Sequence, residues 1–196
     1  MEEIGAVILA GGRSKRIGRD KALITIDNLP LIEILLNRLK KVFNDIIIIG
    51  EKKPDYLKFG LRVFEDVVKG CGPLGGIHSG LANSKWEQNF FFACDMPFVN
   101  VELVRYMSGL ASGFDVVIPQ MGRKLEPLHC VYSKACLTPI EKQLKKGDRK
   151  IINFFPDVNV RYIEEKEIKK FDPEFLSFYN INTPEDYRYA LEKVRK

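Results

Sequence analysis

Four isoleucines in a row, Ile46-Ile47-Ile48-Ile49, constrain the fold of this 196-residue chain more than any other feature. Successive side chains of a strand point to opposite faces, so such a run must find apolar cover on both sides at once. That is the setting of an interior strand in a parallel sheet, with helices packed on either face. The apolar runs at residues 4–9 and 90–94 read the same way, the second ending at an exposed Asp95.

Between and after these runs the periodicity switches to three and four. Leu31, Ile34, Leu35, Arg38, Leu39 and Val42 mark an amphipathic helix over 31–43. Residues 61–64 read as a short strand, 76–83 as a helix, 101–112 as a helix, 115–119 and 128–132 as strands, and 134–146 as a helix. Short strands are expected at 162–163 and 179–181, and a closing helix at 184–194 opens at Pro184 with Thr183 as its N-cap. Strands alternating with helices are the rhythm of βαβ units. With 45% hydrophobic residues, the chain can bury one substantial core, so a single domain over 1–196 is expected.

The net charge of +5 is modest and outside the first loop the cations alternate with acids, so no nucleic-acid footprint is required. Cys71, Cys94, Cys130 and Cys136 form no C-x-x-C pair, which favours free thiols over disulfides or zinc. No apolar run approaches the roughly 18 residues of a membrane span, and Met1-Glu2-Glu3 runs straight into the first strand without a charged leader. A soluble cytoplasmic protein is the expectation.

Directly behind the first strand stands Leu9-Ala10-Gly11-Gly12-Arg13-Ser14-Lys15-Arg16-Ile17-Gly18-Arg19-Asp20-Lys21. Paired glycines let backbone N–H groups approach a ligand while the cations neutralise a polyanion, which suggests a nucleoside triphosphate. The spacing is neither that of a P-loop nor that of the dinucleotide fingerprint. Ligands of open α/β sheets sit beyond the carboxyl ends of the strands, and Asp66, Asp95 and Asn182 all follow expected strands.

With these residues in place the chain resembles the molybdenum cofactor guanylyltransferases, MobA-like nucleotidyltransferases. Leu9-Ala10-Gly11-Gly12 with Arg16, Gly18, Asp20 and Lys21 is similar to the family's signature loop, and Gly72-Pro73-Leu74-Gly75-Gly76 to its second glycine segment. Cys94-Asp95-Met96-Pro97-Phe98 resembles its metal-binding segment, Glu126-Pro127-Leu128 a further family segment, and Asn180-Ile181-Asn182-Thr183-Pro184-Glu185-Asp186 its C-terminal signature.

The resemblance implies a three-layer Rossmann-like nucleotidyltransferase fold, a mostly parallel central sheet with helices on both faces. It implies transfer of GMP from GTP to the terminal phosphate of molybdopterin or Mo-molybdopterin, with pyrophosphate released. Leu9, Ala10, Gly11 and Gly12 would touch the nucleotide, Arg13, Arg16 and Lys21 would hold the triphosphate, and Asp66 would contact GTP. Asp95 would hold Mg²⁺, Asn180 and Asn182 would contact the pterin, and molybdoenzyme apoproteins are candidate recipients of the product. Where the family leads to an Asn just after the second strand, this chain carries Gly50-Glu51. Transfer from CTP, another phosphorylated acceptor, and a non-catalytic GTP-binding delivery protein are the alternatives. His78 and His129 are assigned no role, Cys94 reads as a small buried hydrophobe, and residues 142–150 read as a solvated basic helix end, with binding of an anionic cofactor or a partner protein as the alternative.

Overall fold

The apolar run that precedes the glycine loop is strand β1 (Gly5–Leu9), an interior strand of the main sheet. The computed structural model describes residues 4–10, 21–68 and 70–194, without the side chain of Lys21. A 3-10 turn at Lys21–Leu23 leads into the hairpin β2 (Thr25–Ile26) and β3 (Leu29–Pro30), and then α1 (Leu31–Leu39). The isoleucine run is β4 (Ile46–Ile49), followed by α2 (Pro54–Leu57), β5 (Arg62–Phe64), α3 (Gly72–Asn83) and β6 (Gln88–Ala93). Then come α4 (Val101–Gly109), β7 (Val116–Met121), β8 (Lys124–Leu125), β9 (His129–Ser133) and α5 (Leu137–Lys145). The chain finishes through a 3-10 stretch at Ile151–Asp157, β10 (Val160–Glu164), α6 (Glu165–Ile168), a 3-10 turn at Leu176–Phe178 and α7 (Pro184–Val194).

The sheet runs β10-β7-β9-β6-β1-β4-β5, with β8 paired to the end of β7. Along that path β9 alone is antiparallel to its neighbours, so the expected mostly parallel sheet is present. Strand side chains divide strictly between two cores. Ala6, Ile8, Ile46, Ile48, Phe90 and Phe92 pack under α1 and α4. Val7, Leu9, Ile47, Ile49 and Phe91 pack under α3, α5 and the 3-10 stretch on the opposite face. Each Val, Leu, Ile or Phe among them contributes about 1.5–3 kcal/mol when fully buried, which is why an all-isoleucine strand suits a position covered on both faces. A third cluster joins the hairpin to the C-terminus: Ile26, Leu31, Phe98, Ile181 and Ala190.

Helix α3 lies unusually close to the sheet. A Cβ on Gly80 would stand 2.5 Å from Cε1 of Phe91 and 2.8 Å from Cγ1 of Val7. Helix propensity favours alanine by about 1 kcal/mol, but overpacking against a buried ring costs about 1–3 kcal/mol. Gly80→Ala is therefore expected to destabilise the protein by a net of up to about 2 kcal/mol, read as a lower urea midpoint at unchanged slope.

Several boundaries differ from the sequence expectation. Helix 31–43 ends at Leu39, because Lys41 and Val42 turn to i→i+3 bonds on Arg38 and Leu39. Helix 76–83 begins at Gly72, with Pro73 in its first turn, so the second glycine segment is helical. Helix 101–112 stops at Gly109, and the helix expected from 134 starts as a 3-10 turn at Lys134–Cys136. The strand expected at 162–163 extends over Val160–Glu164, paired with β7. Residues 179–181 form no strand and leave a 3-10 turn instead. Among the described residues no helix is long and apolar enough to cross a membrane, and no disulfide joins any of the four cysteines.

Candidate active site

Sheet order reverses at β1: β4 and β5 follow on one side, while β6 lies on the other. A crevice opens beyond the carboxyl ends of the strands at such a reversal, and there β1 delivers its last residues. Ala10 N–H still donates to the Ile49 carbonyl at 2.8 Å, and Cys94 N–H donates to the Leu9 carbonyl at 3.2 Å. The side chains of Leu9 and Ala10 are buried, so contacts they make at the rim run through their backbone. Gly11, Gly12, Arg13 and Arg16 lie outside the described residues, as does the side chain of Lys21, whose backbone opens the first 3-10 turn.

Asp66 follows β5 by two residues and stands half-buried against α3. A Cβ on Gly76 would lie 3.2 Å from Leu9 Cδ2 and 3.7 Å from Asp66 Oδ1, so that helical glycine brings Leu9 and Asp66 to one place. The loop is held from behind: Val67 N–H donates to Ser79 Oγ at 2.8 Å, and that hydroxyl donates to the Gly75 carbonyl at 2.9 Å. Partial burial raises the Asp66 carboxyl above its ordinary value.

Asp95 follows β6 and is only 8% exposed, where the sequence reading had it exposed. The cause lies at the far end of the chain. Ile181 N–H donates to the Asp95 carbonyl at 3.1 Å, and Met96, Phe98 and Ile181 are buried around that contact. No local pattern near residue 95 signals it.

The same contact carries Asn180 and Asn182 to the rim beside Asp95. Asn180 donates its amide to the Phe178 carbonyl at 3.0 Å. Asn182 is exposed; its N–H and that of Thr183 donate to Asp186 Oδ2 at 2.9 and 2.8 Å. Asp186 N–H returns a bond to Thr183 Oγ1 at 3.1 Å, which makes Thr183 the N-cap of α7 as expected. Burial alone would raise the Asp186 carboxyl, but those donors and the Tyr179 hydroxyl outweigh it and hold it below its ordinary value.

Residues 126–128 enter on the β9 side of the same rim. The Leu128 carbonyl accepts from Ala93 N–H at 3.1 Å, and the buried Glu126 carboxylate pairs with Lys124 Nζ at 2.7 Å. Cys94 is buried, and burial pushes the thiols of Cys130 and Cys136 upward, Cys136 to about 12. These sulfurs pack as hydrophobes. Lys142, Lys145, Lys146, Arg149 and Lys150 are exposed at the end of α5 and in the turn after it. His78 links α3 to α5 through Nε2 and Glu141 Oε1 at 3.1 Å. Two contributors had no sequence signal: the backbone tie from Ile181 to Asp95, and the buried Tyr56, whose hydroxyl donates to the Ala10 carbonyl at 3.3 Å.

The chain is similar in sequence and fold to known proteins. A probable molybdenum cofactor guanylyltransferase from Pelotomaculum thermopropionicum is 41% identical over 186 residues, covering 95% of this chain and 91% of its own length. A molybdenum cofactor guanylyltransferase from Desulfosudis oleivorans is 35% identical over 197 residues, covering 100% and 98% of the two chains. The crystal structure of molybdopterin-guanine dinucleotide biosynthesis protein A from Archaeoglobus fulgidus superposes with a TM-score of 0.85 at 29% identity, covering 98% of this chain and 99% of that one. Residues 6–161 match the MobA-like NTP transferase domain, so the chain belongs to that family, alongside the molybdenum cofactor guanylyltransferases.

Proposed function

We propose that this chain is a molybdenum cofactor guanylyltransferase acting as one cytoplasmic nucleotidyltransferase domain. The observation that carries the reading is the meeting of Leu9–Ala10, Asp66, Asp95 and residues 180–182 at one sheet edge, in a chain with relatives of that name over nearly its full length. A terminal phosphate oxygen of molybdopterin, or of its Mo-loaded form, attacks the α-phosphorus of GTP. The bond to the β-phosphate oxygen breaks, pyrophosphate leaves, and the guanine dinucleotide passes to molybdoenzyme apoproteins.

Such transfers need positioning and neutralised charge more than a covalent nucleophile. The strand end at Leu9–Ala10 touches the nucleotide, and the backbone donors of Gly11 and Gly12 cradle its phosphates; Arg13, Arg16 and Lys21 hold the triphosphate and the leaving pyrophosphate. Asp66 contacts the nucleotide, and Asn180 and Asn182 meet the pterin. Among the described residues no group of three His, Cys, Asp or Glu gathers as a metal cage. A single buried carboxylate suits Mg²⁺, which keeps several waters and draws its other oxygens from phosphates, so Asp95 would hold that ion. When bound, Mg²⁺ supplies neutralisation of the charge that develops on the phosphates.

The test is pyrophosphate release by the purified protein with Mg²⁺, molybdopterin and, in turn, GTP, CTP, ATP and UTP. A site that pairs with the polar edge of guanine is expected to prefer GTP by about 10²-fold or more in kcat/KM. Release that does not require molybdopterin, release that is faster with CTP, or GTP binding without turnover overturns the reading.

A further inference from the structure

We propose that Tyr56 is a positioning residue for the nucleotide, acting from behind the site through the carbonyl of Ala10. The inference rests on the reading that the loop after β1 holds the triphosphate. Ala10 is the last described residue before that loop, and its N–H still belongs to the ladder with β4 through Ile49. Its carbonyl oxygen instead accepts a side-chain hydroxyl, that of Tyr56 at 3.3 Å, from 46 residues away in sequence.

The same oxygen is confined from a second direction. A Cβ on Gly50 would stand 2.7 Å from the Ala10 oxygen and 3.2 Å from its carbonyl carbon, both backbone atoms that no rotamer change can move aside. Gly50 is itself fixed, since its N–H donates to the Phe64 carbonyl at 2.9 Å. Tyr56 has little freedom either: the side chain is fully buried, Pro54 opens its short helix, and its N–H donates to the Lys53 carbonyl at 3.0 Å.

A peptide unit is planar, so holding the Ala10 carbonyl between Gly50 and Tyr56 fixes the plane in which the chain leaves the strand. An anion cradle built from backbone donors depends on that plane being set before the ligand arrives. This gives Gly50 a purpose where the family resemblance led to an Asn. A side chain there would displace the carbonyl, and the position serves as a backstop to the loop instead of contacting the base.

Tyr56→Phe keeps the ring and removes the hydroxyl, and Gly50→Ala adds the obstructing carbon. The readouts are KM for GTP at saturating molybdopterin, KM for molybdopterin at saturating GTP, kcat, and the melting temperature. At 3.3 Å the bond is longer than an ordinary O–H···O hydrogen bond, so its loss predicts that KM for GTP rises about three- to fivefold in Tyr56→Phe. KM for molybdopterin is expected to stay within about twofold, well inside what one lost hydrogen bond would change. Gly50→Ala is expected to act in the same direction, and the double variant to lose less than the product of the two, because both work through one carbonyl. An unchanged KM for GTP overturns the proposal, as does a parallel rise of both KM values with a fall in melting temperature. If the wild type releases no pyrophosphate, guanylyl transfer fails as the function, and calorimetric binding of GTP with Mg²⁺ then decides the role of Tyr56. Weaker binding by Tyr56→Phe supports it; equal binding, or none by the wild type, overturns it.

Discussion

Asp95→Asn is expected to lower kcat for GTP-dependent pyrophosphate release by about 10³-fold while the protein stays folded. The substitution keeps the shape of the side chain and removes its charge. Asp95 is nearly buried, and the Ile181 bond that holds its turn uses the backbone carbonyl, which an asparagine retains. The architecture around position 95 should therefore survive, with a melting temperature within a few degrees of the wild type. What disappears is the negative charge that would fix Mg²⁺ against the phosphates. Raising Mg²⁺ should recover part of the activity in Asp95→Asn, because a neutral amide oxygen still coordinates weakly. A variant with wild-type kcat would remove Asp95 from the reaction. A variant that loses activity only by unfolding would leave the residue with a structural role and defeat the assignment.

The parts of the fold legible in the sequence are those dictated by local physics. Ile46–Ile49 demands cover on both faces and lies between two helical layers. Thr183 and Pro184 announce a helix start, and α7 runs over the expected residues. The misreadings arise where tertiary contacts override local pattern. Residues 179–181 look like a strand because of Tyr179 and Ile181, yet those residues pack into the third cluster, and the Ile181 N–H goes to Asp95 instead of a ladder. The helix start at Gly72 is obscured by glycines, poor helix formers: Gly72 takes a positive φ, while Gly76 and Gly80 let α3 approach Leu9 and the sheet closely. Strand β10 extends beyond the expected 162–163 because it is an edge strand: Arg161 and Glu164 interrupt its apolar pattern without disturbing its pairing with β7.

The candidate site divides in the same way. Asp66 and Asp95 stand just past β5 and β6, as the strand pattern implied. The burial of Asp95, the backstop at Gly50 and the hydroxyl of Tyr56 depend on which distant segments meet, and one chain read alone carries no record of that. Gly50-Glu51 looks like a missing recognition residue in sequence. In three dimensions a side chain at position 50 has no room.

His129 shows the same limit in its effect on stability, and it yields the second large prediction. Two histidines without matching ligand spacing read as packed or surface residues, and His129 is packed to an extreme. It is fully buried in β9 opposite Phe92, and its ring meets Phe90, Phe92 and Phe178 edge-on at 5.1, 5.4 and 5.1 Å. Among the described residues neither ring nitrogen finds a hydrogen-bond partner. Burial pushes its pKa down to about 3, so the folded protein keeps the ring neutral while the unfolded chain protonates near the ordinary value of about 6.5. Between those values the unfolded state binds the extra proton, and stability falls as pH falls through that window. The loss between pH 7 and 5 is expected to be about 2 kcal/mol, approaching about 5 kcal/mol below pH 3. His129→Phe removes the titrating group and two unsatisfied nitrogens while keeping an aromatic ring among aromatic rings. It is expected to raise stability at pH 7 by about 1–3 kcal/mol and to flatten this part of the pH dependence. Urea unfolding of both proteins at pH 7, 6 and 5 measures the two effects together. A variant as sensitive to acid as the wild type would place the acid lability elsewhere, and a less stable variant at pH 7 would mean that the pocket cannot accept the larger ring.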